Sequence, residues 1–131
     1  MIIDSSAVMA IVRREPDATI YAAAIENSAS ACFISAASLF ESSIVADRDD
    51  DPVLSRRFDQ FLLEAKFVVV PFDDAQARIA REAYRDFGKG SRHKAQLNFG
   101  DCFAYALAKA MNEPLLYKGT DFSHTDVRPA L

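Results

Sequence analysis

Residues 101–121 read DCFAYALAKAMNEPLLYKGTD, and the pattern of this segment is the strongest indication of the fold. Its first half carries no charge between Asp101 and Lys109, which predicts a helix buried on nearly all sides. Its second half contains the apolar run LLY, which predicts a short strand, and Gly119 then lets the chain turn at once toward Asp121. A buried helix followed directly by a buried strand is typical of an α/β sheet.

The same alternation of apolar strands and helices covers the rest of the chain. The predicted strands are residues 1–4, 32–35, 67–72 and 115–117, with a last short strand near Val127, and the predicted helices are residues 7–14, 17–27, 38–48, 52–65, 74–87 and 101–111. The strands are continuous apolar runs, which indicates a sheet covered on both faces. We therefore predict an α/β fold with helices flanking a central, mostly parallel sheet, formed by one domain over residues 1–131.

Capping signals predict where the helices begin. Ser5 or Ser6 is a suitable N-cap for the first helix, so Asp4 is not needed for that purpose. Ser38 followed three residues later by Glu41 has the pattern of a capping box, which predicts the start of the third helix.

Four carboxylates stand where an ordinary core would not place a charge. Asp4 ends an apolar strand, and Asp121 follows another. Glu41 lies on an otherwise apolar helix face, and Asp101 opens the buried helix. Like charges in apolar surroundings are costly unless a cation neutralises them. Since ligands of α/β sheets bind beyond the carboxyl ends of the strands, we predict a divalent-metal site at that edge.

The type of ligand predicts the chemistry. Carboxylates and water suit a hard cation such as Mg²⁺, which can orient a phosphodiester and activate a water molecule. Ser6 and Thr120 are candidates to hold a carboxylate or a water molecule by hydrogen bonding. Asp126 is either a fifth member of the acidic set or a turn residue.

The charge is unevenly distributed, although the formal net charge is −4. Residues 78–94 contain six cations and two anions, whereas residues 47–51 are acidic. An acidic site beside a basic stretch suits a phosphate-rich substrate. The residues predicted to hold flanking phosphates are Lys89, Arg92, Lys94 and Lys118. Arg78, Arg81 and Arg85 recur at helical spacing and fit a solvated helix face equally well.

Composition narrows the class of protein. Half of the 131 residues are hydrophobic, yet no apolar run approaches the length of a membrane span. No basic segment precedes an apolar core at the N-terminus, so we expect no signal peptide. Cys32 and Cys102 lie far apart without metal-type spacing, which indicates free thiols and a cytoplasmic protein.

Four segments together resemble the PIN-domain family, and more closely the VapC toxins of bacterial type II toxin–antitoxin modules. They are MIIDSSA at residues 1–7, SLFE at 38–41, NFGDCFAYALA at 98–108 and PLLYKGTDF at 114–122. The order and approximate spacing of these segments match the family from end to end. The last two segments are fairly specific, whereas the first alone is weak.

The resemblance implies a Mg²⁺- or Mn²⁺-dependent endoribonuclease that cleaves cellular RNA. Its metal-binding acids fall on Asp4, Glu41, Asp101 and Asp121 of this chain, with Asp126 as an additional candidate. It also implies a homodimer and a VapB-type antitoxin whose C-terminal segment covers the active site.

Two other classes of function compete with this interpretation. A haloacid-dehalogenase-type phosphatase would need an aspartate two residues after Asp4, where Ser6 stands. A phospho-acceptor receiver would need an acidic pair early in the chain to accompany Asp73, and none is convincing. The other alternative is a PIN-like module that binds RNA or a partner without catalysis. The presence of all four acids argues against it.

Overall fold

A computed structural model of the chain describes residues 1–48 and 50–131. In chain order the elements are β1 (Ile2–Ile3), α1 (Ser5–Val12), α2 (Ala18–Glu26), β2 (Phe33–Ser35), α3 (Ala36–Asp47), α4 (Pro52–Ala65), β3 (Val68–Val70), α5 (Asp74–Phe87), α6 (Asp101–Met111), β4 (Leu115–Leu116) and a 3₁₀ helix (Asp121–His124). Each predicted helix is present, with ends shifted by a few residues. Asp49, in the acidic stretch at 47–51, lies outside the described residues.

The four strands form one parallel sheet in the order β3-β2-β1-β4. The chain moves outward from β1 to β2 and β3, and then returns through α5 and α6 to place β4 on the other side of β1. The direction of strand addition therefore reverses between β1 and β4, which makes this the switch point of the sheet. The predicted α/β class with a central parallel sheet is confirmed.

Helices cover both faces of the sheet. Ile2 and Leu115 pack into a core with α5 and α6, whereas Ile3 and Leu116 pack into a second core with α1 and α4. All four side chains are almost completely buried. Successive residues of a strand point to opposite faces, so a short strand buried on both sides must be apolar throughout. Burial of each such side chain stabilises the fold by about 1.5–3 kcal/mol.

Two of the predicted helix starts are wrong. Asp4 itself caps α1, because its side chain accepts a hydrogen bond from the backbone N–H of Ser6 at 2.9 Å. Ser35 caps α3 by accepting from the backbone N–H of Ala37 at 3.3 Å, and Ser38 lies buried inside the helix. In both places the helix begins within two residues of the end of the preceding strand, which is earlier in the chain than the capping pattern predicted.

The two outer parts of the sheet differ from the prediction. The predicted strand at residues 67–72 is reduced to β3, an edge strand whose Val68 and Val69 are 45% and 47% exposed. The segment near Val127 is not a strand. It leads to an isolated parallel bridge between Leu115 and Pro129, which lies on the edge of β4 opposite β1.

Two further features concern the predictions made from composition. The thiols of Cys32 and Cys102 are free and buried. In residues 1–48 and 50–131, no helix is long and apolar enough to cross a lipid bilayer.

Candidate metal centre

The topology brings four predicted carboxylates to one edge of the sheet. Asp4 follows β1 directly, and Asp121 opens the 3₁₀ helix soon after β4, the parallel neighbour of β1. α6 precedes β4 and must run back across the sheet, so Asp101 at its N-terminus lies at the same edge. α3 follows β2 without a loop, and Glu41 lies in its second turn.

The electrostatics of Asp101 show that these side chains are close together. Burial, together with the negative charges of Asp4, Asp121 and Glu41, raises the pKa of Asp101 to about 7. Charges influence one another in this way only over short distances in a protein. We call Asp4, Glu41, Asp101 and Asp121 the acidic cluster.

Asp4 has one oxygen fixed by the protein and one left without a partner. Its carboxylate Oδ2 accepts hydrogen bonds from the backbone N–H of Ser6 at 2.9 Å and from the Ser6 hydroxyl. Oδ1 is buried and has no hydrogen-bond partner among the described residues. Burial, with a smaller effect from the charge of Glu41, raises the pKa of Asp4 to about 6 against the effect of the Ser6 hydrogen bonds. A buried carboxylate in this state is suited to accept a cation.

Glu41 lies directly against the backbone of Gly100. A Cβ atom at residue 100 would lie only 2.1 Å from Glu41 Oε1, so no other residue fits there without displacing the carboxylate. Glu41 Oε2 is buried and lacks a hydrogen-bond partner within the described part of the chain. Sequence reasoning missed the role of Gly100, although a glycine immediately before a helix-opening aspartate is a signal for close approach.

Asp101 is held by reciprocal hydrogen bonds with Asn98. The Asp101 Oδ2 atom accepts from the backbone N–H of Asn98 at 2.7 Å, and the Asn98 side chain accepts from the backbone N–H of Asp101 at 2.9 Å. This is the arrangement of a capping box, and it opposes the rise in the pKa of Asp101. Sequence reasoning also missed Asn98, whose three-residue spacing from Asp101 was visible in the chain.

The predicted supporting residues have different surroundings. The Ser6 hydroxyl accepts a hydrogen bond from the backbone N–H of Lys118 at 2.9 Å while it donates to Asp4. Thr120 is exposed, and its carbonyl accepts from the backbone N–H of Ser123 at 3.0 Å at the start of the 3₁₀ helix. Asp121 is also exposed, so it forms the solvent-facing side of the acidic cluster.

The carboxylate of Asp126, predicted to be either a fifth acidic member or a turn residue, is paired with side chains of α6. Its Oδ1 accepts a hydrogen bond from the Tyr105 hydroxyl at 2.6 Å, and its Oδ2 pairs with the Lys109 ammonium at 2.8 Å. Lys109 and Tyr105 lower the pKa of Asp126. Both oxygens are therefore occupied, and Asp126 anchors the segment after the 3₁₀ helix to α6.

The predicted RNA-binding cations fall into two groups. Lys89, Arg92 and Lys94 are exposed and form no ion pair with any residue that the structure describes. Lys118, by contrast, is paired with Glu15 at 2.5 Å and with Asp17 at 2.7 Å. Sequence reasoning missed these partners because they lie about a hundred residues away in the chain.

The arginines of α5 are largely matched by neighbouring acids. Arg78 pairs with Asp74, and Arg85 pairs with Asp86. The structure therefore favours the solvated helix face among the two interpretations of Arg78, Arg81 and Arg85. Within residues 78–94, the cations that form no ion pair with a described residue are Arg81 and the three cations of the loop after α5.

Comparison with known proteins identifies the family. The PIN domain model matches residues 1–128. The chain belongs to the PIN-domain family. It is 56% identical to the Mycobacterium tuberculosis protein named ribonuclease VapC28, over the whole chain and 98% of that protein. It is 45% identical to M. tuberculosis ribonuclease VapC42, over 99% of the chain and 98% of that protein. These identities place it among the VapC proteins.

A solved structure shares this fold. The crystal structure of M. tuberculosis VapC20, described as a sarcin–ricin loop cleaving toxin, superposes with a TM-score of 0.72 and covers 98% of each chain. The sequence identity is 16%, so this likeness concerns the fold. It agrees with the PIN-domain assignment.

The acidic cluster of this PIN-domain chain fits a hard divalent cation. In residues 1–48 and 50–131, no three His, Cys, Asp or Glu side chains form a ready-made metal cage. The cluster nevertheless offers two buried carboxylate oxygens without partners, Asp4 Oδ1 and Glu41 Oε2. Mg²⁺ keeps most of its water and binds proteins through only one or two carboxylates, so a full protein cage is not required.

Proposed function

We propose that this chain is the toxin of a type II toxin–antitoxin module, acting as a divalent-metal-dependent endoribonuclease on cellular RNA. Membership of the VapC proteins supports the reaction class. The observation that carries the proposal is the pair of buried carboxylate oxygens without partners, Asp4 Oδ1 and Glu41 Oε2, at the switch point of the sheet. Such oxygens destabilise the fold unless a ligand compensates for their burial.

We assign the metal to the acidic cluster. Asp4, Glu41, Asp101 and Asp121 would hold Mg²⁺, with Mn²⁺ as a substitute. Support comes from the mutual effect of their charges and from the hard oxygen donors, which suit both ions. When bound, the cation supplies an activated water molecule and neutralises charge on the phosphodiester.

The protein's own residues have three tasks in this mechanism. Ser6 fixes Asp4 through two hydrogen bonds, which leaves Oδ1 facing the site. Asn98 fixes Asp101, and Thr120 stands next to Asp121, where its hydroxyl is available to water or phosphate. Groups held in place before the substrate binds need no reorganisation during the reaction.

We assign RNA binding to the loop that follows α5. Lys89, Arg92 and Lys94 carry exposed, unmatched positive charges in the described structure, so they can neutralise phosphates on either side of the cleaved bond. This concentration of positive charge explains how a chain with a net charge of −4 binds RNA.

The proposal includes three partners and a location. A VapB-type antitoxin would cover the acidic cluster, RNA would be the substrate, and two copies of the chain would form a homodimer in the cytoplasm. Residues 1–131 act as a single nuclease domain in this scheme. The VapC relatives support the antitoxin and the RNA substrate.

Cleavage of RNA by purified protein tests the proposal. Total cellular RNA is incubated with the protein in Mg²⁺, in Mn²⁺ and in EDTA, together with Asp4→Asn and with Asp74→Asn as a matched control. Asn also caps helices well, so Asp4→Asn preserves the start of α1 while it removes the charge. Asp74 is exposed on α5.

We expect discrete products that disappear in EDTA and in Asp4→Asn but persist in Asp74→Asn. Cleavage by Asp4→Asn at the wild-type rate would contradict the assignment of the metal. RNA binding without cleavage by the folded, metal-loaded protein would favour the module that binds without catalysis.

A further inference from the structure

Lys118 joins two parts of the molecule through its backbone and its side chain. It lies between β4 and the turn at Gly119, three residues before Asp121. Its backbone N–H reaches the start of α1, and its ammonium reaches the segment between α1 and α2.

The backbone contact leads directly to the acidic cluster. The Lys118 N–H donates to the Ser6 hydroxyl at 2.9 Å, and that hydroxyl donates in turn to Asp4 Oδ2. Because the hydroxyl accepts from a fixed backbone group, its own hydrogen is directed toward Asp4. The position of residue 118 therefore helps to direct the Ser6 hydroxyl to Asp4 Oδ2, the oxygen that also accepts from the backbone N–H of Ser6.

The side-chain contact fixes the position of residue 118. The Lys118 Nζ atom lies 2.5 Å from Glu15 Oε2 and 2.7 Å from Asp17 Oδ1. All three side chains are only about one-third exposed, so these contacts are partly shielded from water. Glu15 follows α1 in the chain, and Ser6 lies in its first turn, so Lys118 contacts residues at both ends of that helix.

The local charge makes Lys118 a poor site for an RNA phosphate. Two carboxylates face one ammonium, which leaves a net negative charge around Nζ. A phosphate that approached Lys118 would have to compete with both carboxylates and would be repelled by them. This differs from Lys89, Arg92 and Lys94, which form no ion pair within residues 1–48 and 50–131.

We propose that Lys118 is a positioning residue for the metal centre rather than an RNA contact. Glu15 and Asp17 hold its side chain, and its backbone N–H holds Ser6 so that Asp4 presents Oδ1 to the cation. The same residue fixes the entry to the turn that carries Asp121. This inference rests on the proposed function, because it assumes that the acidic cluster binds a divalent cation.

Mn²⁺ binding in the absence of RNA tests this role. The protein is titrated with Mn²⁺, and the electron paramagnetic resonance signal reports the free ion. The wild type is compared with Lys118→Met, Lys118→Arg and the double variant Glu15→Gln/Asp17→Asn. Lys94→Met is the matched control, since it removes an unpaired lysine of the loop. RNA affinity is measured at several salt concentrations for the same proteins, and circular dichroism checks folding.

We expect Lys118→Met and the double variant to weaken Mn²⁺ binding about tenfold, as is common when the partners of metal ligands are removed. Lys118→Arg recovers most of this loss because it keeps the charge. Lys94→Met retains the affinity for Mn²⁺ but weakens RNA binding and lowers its log–log salt dependence by about one.

Three results would overturn the inference. One is unchanged Mn²⁺ affinity in Lys118→Met with a reduced salt dependence of RNA binding. Another is tighter RNA binding by the double variant, which would mean that the acids had restrained an RNA contact. A loss of folding in both variants would assign Lys118 a purely structural role. If the wild type itself shows no Mn²⁺ binding that depends on Asp101, the proposed function fails instead.

Discussion

Asp101 is the first residue of α6 and Asp126 packs against the same helix, but the two carboxylates have opposite electrostatic environments. Asp101 opens α6, where burial and three neighbouring carboxylates raise its pKa to about 7. Asp126 contacts the side of α6, where Lys109 and the Tyr105 hydroxyl lower its pKa. One carboxyl is surrounded by like charges, and the other has a matched partner for each oxygen.

The difference separates a carboxylate that stabilises the fold from the carboxylates that we propose bind a cation. A paired aspartate contributes to folding by itself. The acidic cluster instead destabilises the protein until a cation compensates for the burial and the repulsion of its charges. Proteins retain such strain at functional sites and offset it elsewhere in the structure. Changes to Asp101 and Asp126 should therefore act on different properties.

The largest effect is expected on RNA cleavage. Asp101→Asn removes a proposed metal ligand and should lower the rate on the order of a thousandfold, which corresponds to about 4 kcal/mol of transition-state stabilisation. Asp126→Asn should stay within a few-fold of the wild type. Initial rates on one labelled RNA in saturating Mg²⁺ measure both. Equal losses in the two variants would remove the distinction between the carboxyls.

The next effect is on the pH dependence of stability without metal. Asp4 and Asp101 have an ordinary pKa of 3.8 in the unfolded chain and values of about 6 and about 7 in the fold. At pH values between 3.8 and about 7, the folded state binds more protons than the unfolded state, so the free energy of unfolding falls as the pH rises. After allowance for solvent screening we expect a loss of about 2 kcal/mol from pH 4 to pH 8.

Denaturation in urea at a series of pH values, with EDTA and then with Mg²⁺, measures this loss. Mg²⁺ should reduce it, and Asp101→Asn should be more stable than the wild type at pH 8 without metal. A wild type that becomes more stable from pH 5 to pH 8 in EDTA would contradict the environment described for the acidic cluster.

The smallest effect concerns Asp126 and the stability of the fold. Asp126→Ala leaves the Tyr105 hydroxyl without its partner and should reduce the free energy of unfolding by about 1–2 kcal/mol at neutral pH. The lowered pKa means that this contribution is present above the ordinary pKa and is lost as the pH falls through the lower value in the fold. Thermal unfolding at pH 7 and pH 3 tests this, with Asp74→Ala as the exposed control. An unchanged melting temperature at pH 7 would show that the contact is not stabilising.

Most members of the acidic cluster could be predicted from the sequence, because a charged residue stands out among apolar neighbours. Asp101 stands before a run without charge, and Asp4 ends an apolar strand, so both were predicted without a structure. The start of α1 was misjudged because Asp4 serves as a cap as well as a member of the acidic cluster. Local patterns could not show that one carboxylate does both.

The long-range partners were beyond the reach of any local pattern. Lys118 looked like an RNA contact because it is basic and close to the site in sequence. Its pairing with Glu15 and Asp17 depends on how β4 packs beside β1 and α1. The same holds for Asp126, whose pairing with Tyr105 and Lys109 appears only when the C-terminal segment lies against α6.

The α/β class and the residues of the acidic cluster could be predicted from the amino-acid pattern alone. Strands buried on both faces must be apolar throughout, and a carboxylate placed among them signals a ligand because its burial is costly. The pairing of the charges, in contrast, became visible only in the folded chain. Charge pairing depends on distances of a few ångströms between residues far apart in the chain, and packing of the sheet and helices fixes those distances.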